Sequence, residues 1–202
     1  MGLTASALLS QRGIQNVVVE RRAETQRAPA AHVLRCRPME VFERIGVADA
    51  IRRSRPALAF DSITWCTSLG GTEIGRLDLR AGLPREGTGT DVWTNCPQNV
   101  LEPILLERAS REPVARVVRG AECIAVEPAP ELVRARIRTS TGREHTIDAA
   151  WLIAADGAGS PVRRVLGIPM RGPGPQGRFF MISSRPTCGP GPRAAPVRSP
   201  GS

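Results

Sequence analysis

Between residues 2 and 20 the chain passes from a helical periodicity, through a glycine, into an unbroken run of valines, and few folds accommodate that order. Leu3, Ala5, Leu8 and Leu9 recur at helical spacing, and Gly13 stops the helix as a glycine past a C-terminus does. Val17-Val18-Val19 shows no polar alternation, which predicts a strand covered on both faces, as in a parallel sheet sandwiched by helices. Glu20 ends the run. A helix turning directly into such a strand is one arm of an α/β layer.

A second apolar run, Trp151–Ala155, stops abruptly at Asp156-Gly157, with Ser160 and Arg163 close behind. A buried strand that delivers an acidic side chain and a Cβ-free turn to a polar ligand reads this way. An ordinary strand-to-helix turn capped by Ser160 reads the same way, and these residues alone leave both open.

The intervening chain supplies the rest of a mixed architecture. Residues 21–31 are polar and proline-interrupted, hence a loop. A helix starts near Arg37-Pro38, carries Met39, Val41, Phe42 and Ile45, and breaks at Gly46, with another turn or two over Ala48–Arg53. Phe60–Trp65 and Glu73–Leu79 alternate like strands around Gly70-Gly71 and predict an antiparallel hairpin. Residues 80–95 read as loop. Pro97 then opens an amphipathic helix through Leu101, Ile104, Leu105 and Ala109. Short β segments fill 114–150, including a hairpin from Val133–Arg138 to Glu144–Ile147 around Thr141-Gly142, before the strand expected at Trp151–Ala155. Beyond about residue 170, Arg171–Gly177 is loop and Phe179–Ile182 a brief strand. Ser183–Ser202 lacks apolar periodicity and is predicted to be disordered.

Composition narrows the function classes. The formal charge is +9 with no lysine, and Arg178, Arg185, Arg193 and Arg198 lie in a tail without Asp or Glu. The other arginines are interspersed with acidic residues, and 3% aromatic content is too low for a base-stacking platform, so the expectation is no nucleic-acid partner, with an Arg-rich nucleic-acid binder as the remaining alternative. Five scattered cysteines without CxxC spacing read as buried free thiols of a reducing cytosol, and two histidines give no metal centre. No cleavable leader or membrane-length apolar run stands in the sequence, so the expectation is a cytoplasmic protein with no membrane partner.

In a dinucleotide-binding βαβ unit, a strand enters Gly-x-Gly-x-x-Gly, the next helix points its N-terminal N–H groups at a pyrophosphate, and an acidic residue ending the second strand takes the ribose hydroxyls. Gly2 fits the third glycine and Glu20 the acidic residue; the first strand and the two phosphate-contacting glycines would precede Met1. An amphipathic helix followed by a strand ending in a solvated glutamate is the alternative.

Four segments in order resemble the FAD-dependent aromatic hydroxylases, the para-hydroxybenzoate and phenol hydroxylase group. They are Met1-Gly2-Leu3 with Val17–Arg21, His32–Phe42 with its Arg37-Pro38-Met39-Glu40, Pro97-Gln98 with Leu101-Glu102, and Asp156-Gly157 with Ser160 and Arg163. The resemblance implies an α/β fold: a partial Rossmann-like FAD-binding domain without its first strand, joined to part of an antiparallel substrate-domain sheet. Its divisions would be 1–58 for the βαβ remnant, 59–95 for the start of the substrate sheet, 96–170 for the return to the FAD-binding domain, and 171–202 for loop and tail. It implies Gly2 at the phosphate-facing helix and Glu20, with Arg21 beside it, at the adenosine ribose. Arg37 would stand near the pyrophosphate, Gln98 near the ribityl or isoalloxazine region, and Asp156, Gly157 and Arg163 at the pyrophosphate–ribityl portion. The implied reaction is hydroxylation of a small phenolic or polyketide-like aromatic, using FAD, NADPH or NADH, and O2. No side chain is assigned as nucleophile or general base.

The chain departs from that family in lacking its later Gly-Asp motif and most of the substrate domain, and in having Ala30-Ala31 where relatives often carry Arg-Ala. Pro186–Pro190 matches a frame-shifted reading of a family segment, so the expectation is a chain truncated at both ends, with an internal start at Met1 and a frameshift near Ser183. The alternative function is a non-catalytic fragment or pseudogene product that keeps part of the fold without binding flavin.

Overall fold

The computed structural model describes residues 1–54, 62–68, 70–78 and 93–174. Helix α1 (Gly2–Ser10) turns at Gly13, whose φ of 70° lies in the left-handed region glycine tolerates, and enters β1 (Asn16–Glu20). Helix α4 (Gln98–Ser110) leads in the same way into β6 (Ala115–Arg119). The two strands pair in parallel, Asn16 opposite Ala115 through Glu20 opposite Arg119, while α1 and α4 pack on each other and on the strands they precede. Each helix runs back against its strand, so both helix N-termini lie at the carboxyl end of the parallel pair.

The face that α1 turns to the strand is not its leucines. Ser6, Ala7 and Ser10 are the buried positions, because Ser6 Oγ donates to Asn16 Oδ1 at 2.5 Å and Asn16 Nδ2 donates to Ser10 Oγ at 3.0 Å. Leu3 and Leu8 pack from the side against the main core. The two-sided cover expected for β1 is also absent among the described residues. Val17 is exposed, because the helices cover one face of the pair only.

The main core lies beside this layer. It joins Ala7 and Leu105 to Leu34 of β2 (Val33–Arg35), Met39 and Phe42 of α2 (Cys36–Arg44), Ala48 and Ile51 of α3 (Ala48–Arg53), and Cys96. Ile45 and Val47 flank Gly46, which ends α2 at a φ of 75°. Strand β2 pairs antiparallel with β5 (Trp93–Asn95), and the pairing continues through Cys96 N–H to His32 O at 2.8 Å and Gln98 N–H to Ala30 O at 2.9 Å. Residues 93–95 therefore correct the reading of 80–95 as loop; a three-residue strand is too short to display alternation. Residues 79–92 lie outside the described residues. The expected hairpin is present as β3 (Ser62–Cys66) and β4 (Glu73–Asp78), with Phe60, Asp61 and Leu79 outside the described residues.

After β6, Gly120 (φ 66°) turns the chain into an antiparallel sheet ordered β7 (Ala121–Pro128), β8 (Val133–Thr139), β9 (Glu144–Ala149). Strand β8 alternates as a one-sided strand should, with Arg134, Arg136 and Arg138 exposed and Ile137 buried. The predicted hairpin around Thr141-Gly142 is the β8–β9 turn, with Gly142 at φ 82°.

The strand expected at Trp151–Ala155 does not form. The segment has no ladder partner among the described residues, and Trp151 and Ile153 are 88% and 61% exposed. Apolar composition marks a segment for burial, but a strand also needs a neighbouring edge to receive its N–H and C=O groups. The segment runs instead into a turn and the short helix α5 (Pro161–Val165). The cysteine expectation is corrected too: among the described residues Cys36, Cys66, Cys96 and Cys123 are free, but only Cys96 is buried and Cys66 is exposed on the β3–β4 hairpin. The Phe179–Ile182 strand and the Ser183–Ser202 tail lie outside the described residues.

Candidate functional site

Where the N-terminus of α1 meets the Asp156 turn, the protein encloses an open cavity of about 490 Å³, lined by Met1, Ala155, Asp156, Gly157, Ser160 and Arg163 among others. Gly2 seats the helix against its surroundings. A Cβ there would stand 3.7 Å from Ala155 Cβ and 3.8 Å from Val18 Cγ1, so α1 spans from β1 to the 151–155 segment. The first backbone N–H groups of a helix have no intrahelical partner, and Met1 supplies no side-chain cap. Met1, the residue before α1, lines the cavity, so the uncapped start of the helix lies beside it, and such a helix end is suited to an anion.

The opposite wall is shaped by its own turn chemistry. Gly157 has a φ of 82° with open space where a Cβ would be, so it is required by backbone conformation rather than by crowding. Asp156 Oδ2 accepts from Val162 N–H at 3.1 Å, and Ser160 Oγ caps α5 by accepting from Arg163 N–H at 3.0 Å. Slight burial pushes the Asp156 carboxyl upward, but hydrogen bonds from the Ser160 side chain and the Val162 amide outweigh it and hold the group below the ordinary aspartate value. It is thus ionised at neutral pH. The Arg163 guanidinium donates from Nη1 to Ile168 O at 2.8 Å, while its buried Nε has no hydrogen-bond partner. The capped turn of one sequence reading and the ligand-facing turn of the other coexist in the same residues.

The remaining candidates divide. Glu20 is exposed at the carboxyl end of β1, its Oε1 accepting from Arg22 N–H at 2.8 Å, and Arg21 Nη1 stands 3.7 Å from Glu122. Gln98, first residue of α4, lies at the same carboxyl end of the β1–β6 pair. Arg37 does not join them as directly. It follows β2 at the end of the β2–β5 ladder away from Gln98, and its guanidinium pairs with Glu40 at 2.7 Å while remaining mostly exposed. Sequence reasoning missed Glu102, whose Oε1 accepts from Gln98 Nε2 at 2.5 Å; the i,i+4 spacing on one helix was the available signal. Among the described residues no group of His, Cys, Asp and Glu has the arrangement of a metal site, and no helix is long and apolar enough to cross a membrane.

Comparison with known proteins adds an independent line. Residues 1–187 match the family described as the FAD binding domain. A putative polyketide hydroxylase of Streptomyces halstedii is 37% identical over 86% of this chain and 32% of its own length. The 2,4-dichlorophenol 6-monooxygenase of Delftia acidovorans is 32% identical over 85% of this chain and 30% of its own. A solved structure of the flavin-dependent monooxygenase PieE in complex with FAD and substrate superposes with a TM-score of 0.75 at 32% identity, covering 82% of this chain and 30% of that one. The chain thus spans about a third of the length of the relatives it matches.

Proposed function

The chain belongs to the FAD binding domain family, and from that premise we propose that it holds the nucleotide side of FAD and serves a monooxygenase acting on a small aromatic molecule. The observation that carries this reading is the shared cavity lined both by Met1, at the uncapped start of α1, and by the Asp156-Gly157 turn.

The residues present fit part of that cofactor. Helix N-terminal N–H groups suit the pyrophosphate, and an exposed carboxylate at a strand's carboxyl end suits ribose hydroxyls. We assign the first to the helix that opens at Gly2 and the second to Glu20, with Arg21 at its side. Asp156 is placed toward hydroxyl-bearing portions of the ligand, Gly157 lets backbone approach it, and Arg163 braces the turn. Gln98 meets the ribityl or ring region. We assign Arg37 to the pyrophosphate, a role that would require it to leave its pairing with Glu40. When bound, the flavin supplies the redox and oxygen chemistry, with NADPH or NADH as reductant and O2 as co-substrate; this chain's side chains bind and orient. The aromatic substrate class is supported by the relatives' names, a putative polyketide hydroxylase and a 2,4-dichlorophenol 6-monooxygenase.

A second reading, that the chain keeps the fold without holding flavin, draws on the same turn, because Asp156 and Ser160 both accept hydrogen bonds from backbone N–H groups of α5. Titrating the purified chain with FAD and following flavin fluorescence separates the two. Saturable binding, weakened about tenfold by Asp156→Ala or Glu20→Ala through loss of a charge-assisted hydrogen bond, is the expected result. A chain with native circular dichroism that leaves flavin fluorescence unchanged would establish the second reading.

A further inference from the structure

Helix α4 opens with a hydrogen-bond relay that the cavity at Asp156 does not use. Gln98 Nε2 donates to Glu102 Oε1 at 2.5 Å, and Glu102 Oε2 accepts from the backbone N–H of Gln26 at 2.7 Å. One carboxylate therefore joins a helix side chain to a loop 76 residues away in sequence. The loop is tied at two further points. Gln98 N–H donates to Ala30 O at 2.9 Å, and Arg22 Nη1 donates to Gln26 Oε1 at 2.5 Å. Gln26, Gln98 and Glu102 are all partly buried.

The chemistry of the pair sets a direction. An ionised carboxylate only accepts hydrogen bonds, whereas a glutamine amide both donates and accepts. The amide atom turned toward Glu102 must then be the NH2, which leaves the Gln98 carbonyl oxygen pointing away from it.

We propose that Glu102 is a positioning residue: it fixes the Gln98 amide with its carbonyl oxygen outward and latches the 21–31 loop to the start of α4. The Gln98 carbonyl oxygen can then receive a hydrogen-bond donor, a hydroxyl or ring N–H. The ligand half rests on the proposed approach of Gln98 to the flavin and turns its carbonyl oxygen toward the ribityl hydroxyls or ring N–H. The loop half links that point to the segment following Glu20, so the two ends of the cofactor site are held by one side chain.

The test compares Glu102→Ala with the swapped pair Gln98→Glu/Glu102→Gln in the full chain. Nitrogen-15 NMR follows exchange of the Gln98 side-chain amide and the Gln26 backbone amide, and an FAD titration runs in parallel. In Glu102→Ala both protons should lose protection together, by about tenfold or more, and FAD affinity should fall about tenfold. The swap puts an acceptor-only carboxylate at 98 and a residue at 102 that donates to it while accepting from Gln26. Gln26 protection should return. Unchanged Gln26 exchange in a folded Glu102→Ala protein overturns the inference, as does a folded swap in which Gln26 stays unprotected. If the unmodified chain binds no FAD, the flavin reading fails, and the paired loss of amide protection alone decides the role of Glu102.

Discussion

The helical core around α2 and α3 and the segment from Trp151 to Met170 carry comparable apolar residues yet treat them in opposite ways. Met39 and Ile51 are fully buried among side chains drawn from α1, β2, α2, α3 and α4. Trp151, Ile153, Ile168 and Met170 stand more than half exposed. The first region has several elements converging on one cluster; the second is an extended segment, a turn and a five-residue helix, with one buried apolar contact of its own at Val162. Stability therefore resides on the helical side, and the candidate cofactor turn is supported mainly by its hydrogen bonds.

The largest expected effect tests that division directly. Met39→Ala should cost about 2–5 kcal/mol, because a fully buried side chain leaves a cavity that a convergent cluster cannot close. Ile153→Ala, at a position 61% exposed, should stay within about 0.5 kcal/mol. Urea unfolding of the two variants measures the difference. Equal losses would mean that the 151–155 segment is as well packed as the core, and the contrast would break.

How much of this was legible in the sequence follows the range over which each feature is determined. The α2–Gly46–α3 unit and the β8–β9 hairpin around Thr141-Gly142 were readable because caps, turns and alternation act within a few residues. Strands β2 and β5 were not: three residues each, they exist because they meet each other across 58 or more positions of chain. Trp151–Ala155 shows the converse, since its composition announces burial while no described strand lies alongside to pair with it. On α1 the leucines marked one face, but Asn16 bonding to Ser6 and Ser10 selected another. At the candidate site, Asp156 and Gly157 were legible because a tight turn needs those residue types in that order. Glu102 was legible only as far as its i,i+4 spacing from Gln98, because its contact with Gln26 is defined by tertiary packing.

A smaller effect separates conformational from packing demands at the two glycines beside the cavity. Gly157→Ala should destabilise by about 1–2 kcal/mol, the cost of a Cβ at positive φ, although nothing stands within contact of the new methyl. Gly2→Ala places a methyl at ordinary contact distance in the first turn of a helix, where alanine is the better helix former, and should change stability by less than about 0.5 kcal/mol. Thermal melts of both variants check the order. A reversal would mean that close approach at Gly2, and not the left-handed turn at Gly157, sets the shape of the cavity.

The smallest effects concern two carboxylates held below the ordinary aspartate value by different means. Asp148 is lowered first by hydrogen bonds from the Arg134 guanidinium, at 2.8 Å to each oxygen, on an exposed face of the β8–β9 pair. For Asp156 slight burial acts upward, and the Ser160 side chain and Val162 amide bring the carboxyl down despite it. In both cases the folded pKa lies below the unfolded one, so the charged form's contribution to stability is present above the unfolded value and is lost as pH falls through the folded value. Both midpoints should therefore fall below 3.8 when followed by NMR at each aspartate and at the Val162 amide. Salt distinguishes them. Screening by about 0.5 M NaCl acts on the exposed Arg134–Asp148 attraction and should move the Asp148 midpoint back toward 3.8. Short-range donation from a hydroxyl and a backbone amide is barely screened, so the Asp156 midpoint should hardly shift. If Asp156 shifts as far as Asp148, its charge is governed by Arg163 rather than by the turn, and the picture of a hydrogen-bonded, weakly packed cofactor turn gives way to an electrostatic one.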